Sequence, residues 1–257
     1  MTEAVRAEWT KLRTLPSTMW LLASTAVVTI VVSAIAAAAW HVNSSTSADP
    51  TKISLSGIDV GQAIVAILAV LAMSEEYGTG MIRTSLSAVP RRLRLLAAKA
   101  SNLAGLLLPV GVVAVVGSLL AGRFLLPDAG IEPAHGYPLV SLGQGATLRA
   151  AIGSVLYLIL IALLSLGVAT IIRDTAASVG AILGLIYLPP VAAQLIQDPT
   201  WRRHLEQFAP MTAGLSIQTT NRIPSLPIAP WPGLGVLTAW AVAALLVAGV
   251  LLRLRDV

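Results

Sequence analysis

The sequence predicts an all-α polytopic membrane protein with six transmembrane helices in a single domain, residues 1–257. Hydrophobic residues make up 56% of its 257 residues and charged residues only 11%, whereas about a quarter of a soluble domain is charged. The apolar residues form six runs of roughly 17 to 25 residues, the length that a helix needs to cross a bilayer. The chain has no cysteine, which excludes a disulfide framework and a thiolate metal site.

The first half of the chain begins with an amphipathic segment. Residues 1–15 are expected to be either an interfacial helix on the inner leaflet or a basic flank that orients the first span. The second span is short and starts near Asp59, an acidic residue that the dipole of a helix N-terminus favours. The six spans are predicted at residues 19–40, 57–73, 100–121, 148–172, 175–196 and 233–252.

The later spans carry features that predict their geometry. Pro109 should kink the third span, and Pro189-Pro190 should break the fifth. Arg149 is expected to snorkel to the outer interface, and the two-residue turn Arg173-Asp174 makes spans four and five antiparallel neighbours. Residues 198–230 hold an apolar stretch too short to span, which predicts a re-entrant or interfacial helix before the sixth span.

Small residues recur along the fifth span at a spacing of four. Ala176, Gly180 and Gly184 therefore share one helix face, which would let another helix approach closely. A chance spacing is the alternative, because Gly and Ala are frequent throughout the chain. The stripe is a candidate packing interface for another helix, such as that of a second protomer.

The distribution of basic residues predicts the topology. Of the 17 Lys and Arg residues, 11 fall in segments that would lie inside if both termini were cytoplasmic, and six fall outside. Short loops rich in Arg and Lys remain on the inner side of a membrane. We therefore expect a multi-pass protein of the cell membrane with both termini, and the loop 75–99, in the cytoplasm.

The loop between spans two and three has the pattern of a short helix. Thr79 can cap it, Ile82 and Leu86 share one face, and Pro90 ends it. Its apolar side chains need a surface to bury them, either the membrane interface or a soluble partner. The simpler interpretation is a basic loop held at anionic head groups.

The run EEYGTGMIRTSLSAVPRR, residues 75–92, resembles the first cytoplasmic loop of ABC-2 type transporter permeases, especially the actinobacterial kind. That family typically shows acidic residues, an aromatic, G-T-[IL]-R, a Leu, and Pro followed by Arg. This chain departs from the pattern by Gly80-Met81, which stands between Thr79 and the aliphatic residue. The resemblance extends to RAEWTKLRT (residues 6–14), FAPMTAGLSI (residues 208–217) and the order of the apolar segments.

The resemblance implies that the loop is a coupling helix that receives the motion of an ATPase. Two such permeases, identical or related, would pair in the bilayer above two ABC ATPase subunits, which would hold the ATP and Mg. The residues assigned to ATPase coupling are Glu75, Glu76, Tyr77, Gly78, Thr79, Met81, Ile82, Arg83, Leu86, Pro90 and Arg91.

The sequence lacks the chemistry of several other classes. It has no G-x-x-x-x-G-K-[ST] motif, no nucleophile with its base and no cluster of metal ligands, so we expect no catalytic, cofactor or metal site in this chain. No ionisable residue lies at the centre of a predicted span, which argues against a proton-coupled carrier. The basic residues flank apolar runs, which argues against nucleic-acid binding.

The predicted function is therefore the permease subunit of an ATP-binding cassette transporter. Its cargo would be a hydrophobic or amphiphilic compound such as a drug, lipid or natural product, moved outward along an apolar interface between two copies. The alternatives are a non-transporting scaffold or immunity-type resistance protein, which the lack of a polar pathway favours, and a secondary carrier. An adjacent reading frame for an ABC ATPase would discriminate between them.

Overall fold

The computed structural model describes residues 16–40, 48–78, 92–127 and 140–254, and the regular elements in these ranges are all helical. Two 3₁₀ turns, Ser216–Gln218 and Ile223–Ser225, precede the last helix. The α-helices are α1 (Pro16–Ala39), α2 (Pro50–Ser54), α3 (Ile58–Gly78), α4 (Arg92–Leu125), α5 (Gly145–Ile172), α6 (Thr175–Leu195), α7 (Pro199–Phe208), α8 (Pro210–Leu215) and α9 (Pro230–Leu254).

Five of the described helices, α1, α4, α5, α6 and α9, are long and apolar enough to cross a membrane. This confirms the prediction of a helical membrane protein. The predicted second span lies in α3, whose apolar part, Ile58–Ser74, is only 17 residues long. The six-span layout therefore stays a prediction, as does the interfacial helix at residues 1–15, which lies outside the described residues.

Helix α4 extends beyond the third predicted span, 100–121, whose bounds in the membrane stay a prediction. Helix α4 begins at Arg92 and runs for 34 residues, which at 1.5 Å per residue is about 50 Å. The bilayer core is only about 30 Å thick. The apolar residues mark the part of the helix that lipid can cover. The helical hydrogen bonds extend beyond that part to the basic residues at the start of α4, which are good helix formers.

The expected break at Pro189-Pro190 was wrong, because α6 continues through both prolines to Leu195. A proline removes one backbone donor and crowds the preceding turn, but neighbouring elements can satisfy the freed carbonyls of a membrane helix. Helix α4 also contains Pro109 and continues through it; the kink expected there stays a prediction.

The predicted tight connection between α5 and α6 is confirmed. Arg173 adopts a left-handed backbone (φ 64°) and its N–H donates to the carbonyl of Ala169 at 2.9 Å, which ends α5. Asp174 then caps α6, its carboxylate accepting from the N–H of Ala177 at 2.8 Å. The two helices pack against each other.

Helix α5 is the centre of the bundle. It contacts α3, α4, α6, α8 and α9, and its Tyr157, Ile161 and Leu166 are fully buried. Helix α1 packs on the other side against α3 and α4. The transition from α2 to α3 approaches α1 so closely that a Cβ at Gly57 would meet the backbone of Thr29.

The segment before α9 folds in two parts. Asp198 caps α7 by accepting from the N–H groups of Thr200 at 2.7 Å and Trp201 at 3.4 Å, and α7 has no buried residue. Helix α8 and the turn after it are buried between α5 and α9, where Gly153 faces Ile217 and Gly214 faces the ring of Tyr157.

Candidate functional site

The predicted coupling loop is bracketed by two long helices. Helix α3 does not stop at Met73 but continues to Gly78, so Glu75, Glu76, Tyr77 and Gly78 belong to its last turn and not to a loop. The acidic residues end the apolar run of the sequence. Glutamate and tyrosine are nevertheless compatible with a helix, so the helix itself continues. The other predicted coupling residues, Thr79, Met81, Ile82, Arg83, Leu86, Pro90 and Arg91, lie outside the described residues.

A buried lysine connects the two helices that flank the predicted loop. Lys99, in the third turn of α4, is only 3% exposed, and its Nζ donates to the carbonyl oxygen of Ala72 in α3 at 3.1 Å. Ser74 and Asn102 are buried in the same region of the two helices. The contact links α3, six residues before its end at Gly78, to α4, seven residues after its start at Arg92.

The small-residue stripe of α6 faces away from the rest of the described chain. Ala176 and Gly180 are exposed and Gly184 is half-buried. A Cβ at Gly180 would meet nothing within 4 Å, and one at Gly184 would meet only Leu188 of the same helix. Helix α6 instead packs through a different face, with buried residues Ser178, Ile182, Ile186 and Ala193.

A buried polar tract, which sequence reasoning missed, connects α3, α5 and α6. Gln62 is fully buried; its Oε1 accepts from the hydroxyl of Tyr157, and its Nε2 donates to the carbonyl of Asp59 at 3.0 Å. The hydroxyl of Tyr187 donates to the same carbonyl at 2.5 Å. Asp59 and Gln62 are three residues apart on one helix face, and both tyrosines lie away from the helix ends where aromatic belts form. These two signals could have indicated the tract.

A second missed feature clamps α2 to the segment before α9. The carboxylate of Asp49 caps α2 through the N–H of Lys52 at 3.2 Å. It also accepts from the N–H of Thr220 at 2.6 Å, its hydroxyl at 2.7 Å, and the N–H of Asn221 at 2.9 Å. Contacts across more than 170 positions have no local sequence signal.

Arg149 has a protein acceptor near the start of α5. It is half-buried, and its Nη2 donates to the carbonyl of Thr219 at 2.6 Å; its predicted snorkelling to the outer interface stays a prediction. Helix α5 also starts earlier than predicted, at Gly145. The arginine finds a protein acceptor because the segment after α8 folds back over the start of α5.

Comparison with models of protein families gives no match for this chain. No curated protein matches it by sequence either. Within the ranges that the structure describes, no group of three or more His, Cys, Asp or Glu side chains could hold a metal ion. The fold and the contacts described above are therefore the basis for a functional proposal.

Proposed function

We propose that this chain is the membrane-spanning permease subunit of an ATP-binding cassette transporter of the ABC-2 type. It exports a hydrophobic or amphiphilic compound, and a separate ATPase supplies the energy. The observation that carries the proposal is the pair of long helices on either side of residues 79–91: the basic motif of the sequence lies between α3 and α4, and Lys99 of α4 donates to the carbonyl of Ala72 in α3.

The hydrogen bond between Lys99 and Ala72 gives a physical route by which motion of the ATPase would reach the helical bundle. A force on residues 79–91 reaches both α3 and α4, which are linked by the hydrogen bond between Lys99 and Ala72 and by their shared packing against α1 and α5. Helix α3 then meets α5 and α6 through the hydrogen bonds of Gln62 and Asp59. Packed helices and hydrogen-bonded networks transmit displacement because they have discrete arrangements. Nucleotide-driven closure of an ATPase pair would thus reach the far end of the bundle.

The position of α8 supports the six-span arrangement. Non-helical backbone at membrane depth is tolerated only where protein covers it, and α8 with its following turn is buried between α5 and α9. A re-entrant α8 lets α3 count as the second span and α9 as the sixth. Both termini then lie in the cytoplasm, and the protein is in the cell membrane.

The assembly in this proposal has two permeases and two ATPases. The exposed stripe of Ala176, Gly180 and Gly184 on α6 offers a face that a helix of the second permease could approach closely. The bilayer covers the remaining apolar surface of the spans. ATP and Mg belong to the ATPase subunits and not to this chain.

Reconstitution tests the proposal. The permease is placed in proteoliposomes with the ABC ATPase encoded by an adjacent reading frame, and export of fluorescent amphiphiles is measured with ATP, without ATP, and with an ATPase lacking its catalytic base. We expect export only with ATP and the active ATPase. Export that follows a proton gradient and ignores the inactive ATPase would show a secondary carrier, and no export under any condition would favour a scaffold.

A further inference from the structure

Two cavities adjoin each other at the end of the bundle that carries α2. The larger has a volume of about 470 Å³ and the smaller about 290 Å³. Lys52, Ser56, Thr219 and Leu226 line both cavities, so these four residues form a shared wall. Small-molecule pockets have volumes of about 300 to 1,000 Å³. The larger cavity lies within this range and the smaller one just below it.

The larger cavity combines an apolar wall with positive charge. Ala36, Trp40 and Ile53 provide apolar surface, and Lys52 and Arg222 stand at its edge. Neither cation has an ion-pair partner among the described residues. Asp49 also lines this cavity, but its carboxylate is occupied by the donors of the clamp. The larger cavity is therefore suited to an anionic group on an apolar body.

The backbone conformation of Arg222 fixes where the side chain of this cation begins. Arg222 has a left-handed conformation (φ 51°), which non-glycine residues rarely adopt and which the surrounding structure must hold in place. It follows Asn221, whose N–H is bound by Asp49 and whose side chain donates to the carbonyl of Ala48 at 3.2 Å. The clamp thus positions the start of the arginine at the cavity.

The shared wall holds buried polar atoms that lack partners. Ser56 Oγ, Thr219 Oγ1 and, in the smaller cavity, Gln218 Nε2 have no hydrogen-bond partner among the described residues. Gln218 is 2% exposed and Thr219 is 7% exposed. An unpaired buried donor costs about 1–3 kcal/mol, and a bound group with acceptor oxygens would remove that cost. The two hydroxyls of the shared wall, beside Lys52, match the oxygens of a phosphate or carboxylate.

The smaller cavity adds two carboxylates to the lysine of the shared wall. Asp59 and Glu206 both line it; Glu206 is paired with Arg202 at 2.9 Å, whereas Asp59 makes no direct ion pair among the described residues and has Lys52 as its neighbouring positive charge. Among the described residues, no aromatic side chain lines this cavity. A quaternary ammonium prefers an aromatic cage, so a primary ammonium, which can donate hydrogen bonds to a carboxylate, fits this chemistry better.

We infer that the two cavities together bind the head group of a zwitterionic amphiphile with an anionic group and a primary ammonium, of the aminophospholipid type. The anion lies between Lys52 and Arg222, the ammonium lies near Asp59, and the apolar body rests on the wall of the larger cavity that contains Trp40. This inference does not depend on the ATPase proposal, because it concerns binding and not its energy source.

Fluorescence quenching tests the assignment on the full chain. The protein is placed in phosphatidylcholine nanodiscs, and brominated acyl chains are introduced on phosphatidylethanolamine, phosphatidylglycerol or phosphatidylcholine in equal amounts. Quenching is compared between the unmodified protein and the Trp40→Phe variant. The difference is the quenching of Trp40 and measures how closely the bromine atoms approach the cavity wall. We expect the strongest Trp40 quenching with phosphatidylethanolamine. Equal quenching by all three lipids in the unmodified protein would by itself overturn the assignment.

Charge variants identify the contacts. Arg222→Ala and Lys52→Ala should each weaken the binding of phosphatidylethanolamine about tenfold, the effect of losing one charge-assisted hydrogen bond. Asp59→Asn should remove the preference for phosphatidylethanolamine over phosphatidylglycerol while leaving phosphatidylglycerol binding in place. Arg203→Ala is the matched control, because Arg203 is exposed and lines neither cavity. Cation variants that bind like this control would refute the site.

A soluble head group separates a lipid from a small polar ligand. Phosphoethanolamine carries the same anion and ammonium without acyl chains, and we expect it to displace brominated phosphatidylethanolamine only at concentrations at least 100-fold higher. Displacement at equal concentration would contradict the amphiphile assignment, because the apolar wall would then contribute nothing.

Discussion

Replacing Gly233 by alanine tests how α8 is seated against α9. Gly233 lies in the first turn of α9, and a Cβ there would come closer than 3.0 Å to the carbonyl oxygen of Ala213 and to Ser216 Oγ. Real Cβ atoms essentially never approach so closely. Ser216 is buried and donates to the same carbonyl of Ala213 at 2.6 Å, so neither neighbour can rotate away freely.

The expected cost follows from these contacts. Overfilling a packed site typically costs about 1–3 kcal/mol, and contact with backbone puts Gly233→Ala at the upper end. Alanine is worth about 0.5–1 kcal/mol more than glycine in a helix interior, and this offsets part of the cost. We therefore expect a net loss of about 2 kcal/mol in the free energy of unfolding.

The measurement is a denaturant titration of the purified protein in detergent micelles, followed by helical circular dichroism. Gly235→Ala is the control, because Gly235 is in the same helix and a Cβ there meets nothing within 4 Å; its stability should be unchanged or slightly higher. If Gly233→Ala were as stable as Gly235→Ala, the close packing of α8 against α9 would be refuted.

Three further predictions concern the clamp, the stripe and the topology. Asp49→Ala should lower the free energy of unfolding by about 1–3 kcal/mol, because it strands the donors of Thr220 and its neighbour; Asp49→Asn should lower it less, and equal stability of the two variants would contradict the clamp. Gly180→Leu and Gly184→Leu should leave monomer folding intact but weaken association of two copies in light-scattering measurements, while unchanged association would mark the stripe as incidental. A cysteine replacing Ser87 in this cysteine-free chain should resist an impermeant thiol reagent added outside intact cells, and its modification there would reverse the topology.

The helices were the most predictable part of the molecule. Long apolar runs bounded by charge must be helices in a membrane, since no other single segment satisfies its own backbone. The two-residue turn at Arg173-Asp174 is local chemistry, and the sequence predicted it. The end of α3 was misjudged, because a helix does not end where its apolar character ends.

The candidate site was much less predictable than the spans. The tract of Gln62, Tyr157 and Tyr187 is formed by three helices, and the clamp at Asp49 joins segments far apart in the chain. Each depends on tertiary packing that a single sequence does not encode locally. The stripe on α6 was visible in the sequence, but its outward direction depends on which other face of α6 meets the bundle.

The central claim is that the loop 79–91 couples this permease to an ATPase. Ile82→Asp and Leu86→Asp would each place a carboxylate on the predicted docking face without touching a span, and Ser87→Asp is the control on a different predicted face. The most direct measurement is co-purification of the ATPase with each variant from membranes, together with ATP-dependent export. An apolar anchor in such a contact often accounts for about 2 kcal/mol or more of binding, so we expect at least about a 30-fold loss of ATPase affinity and of export, with normal insertion and a mild effect of Ser87→Asp. Full ATPase binding and export by both Ile82→Asp and Leu86→Asp would contradict the account and leave the loop as a basic anchor at the head groups.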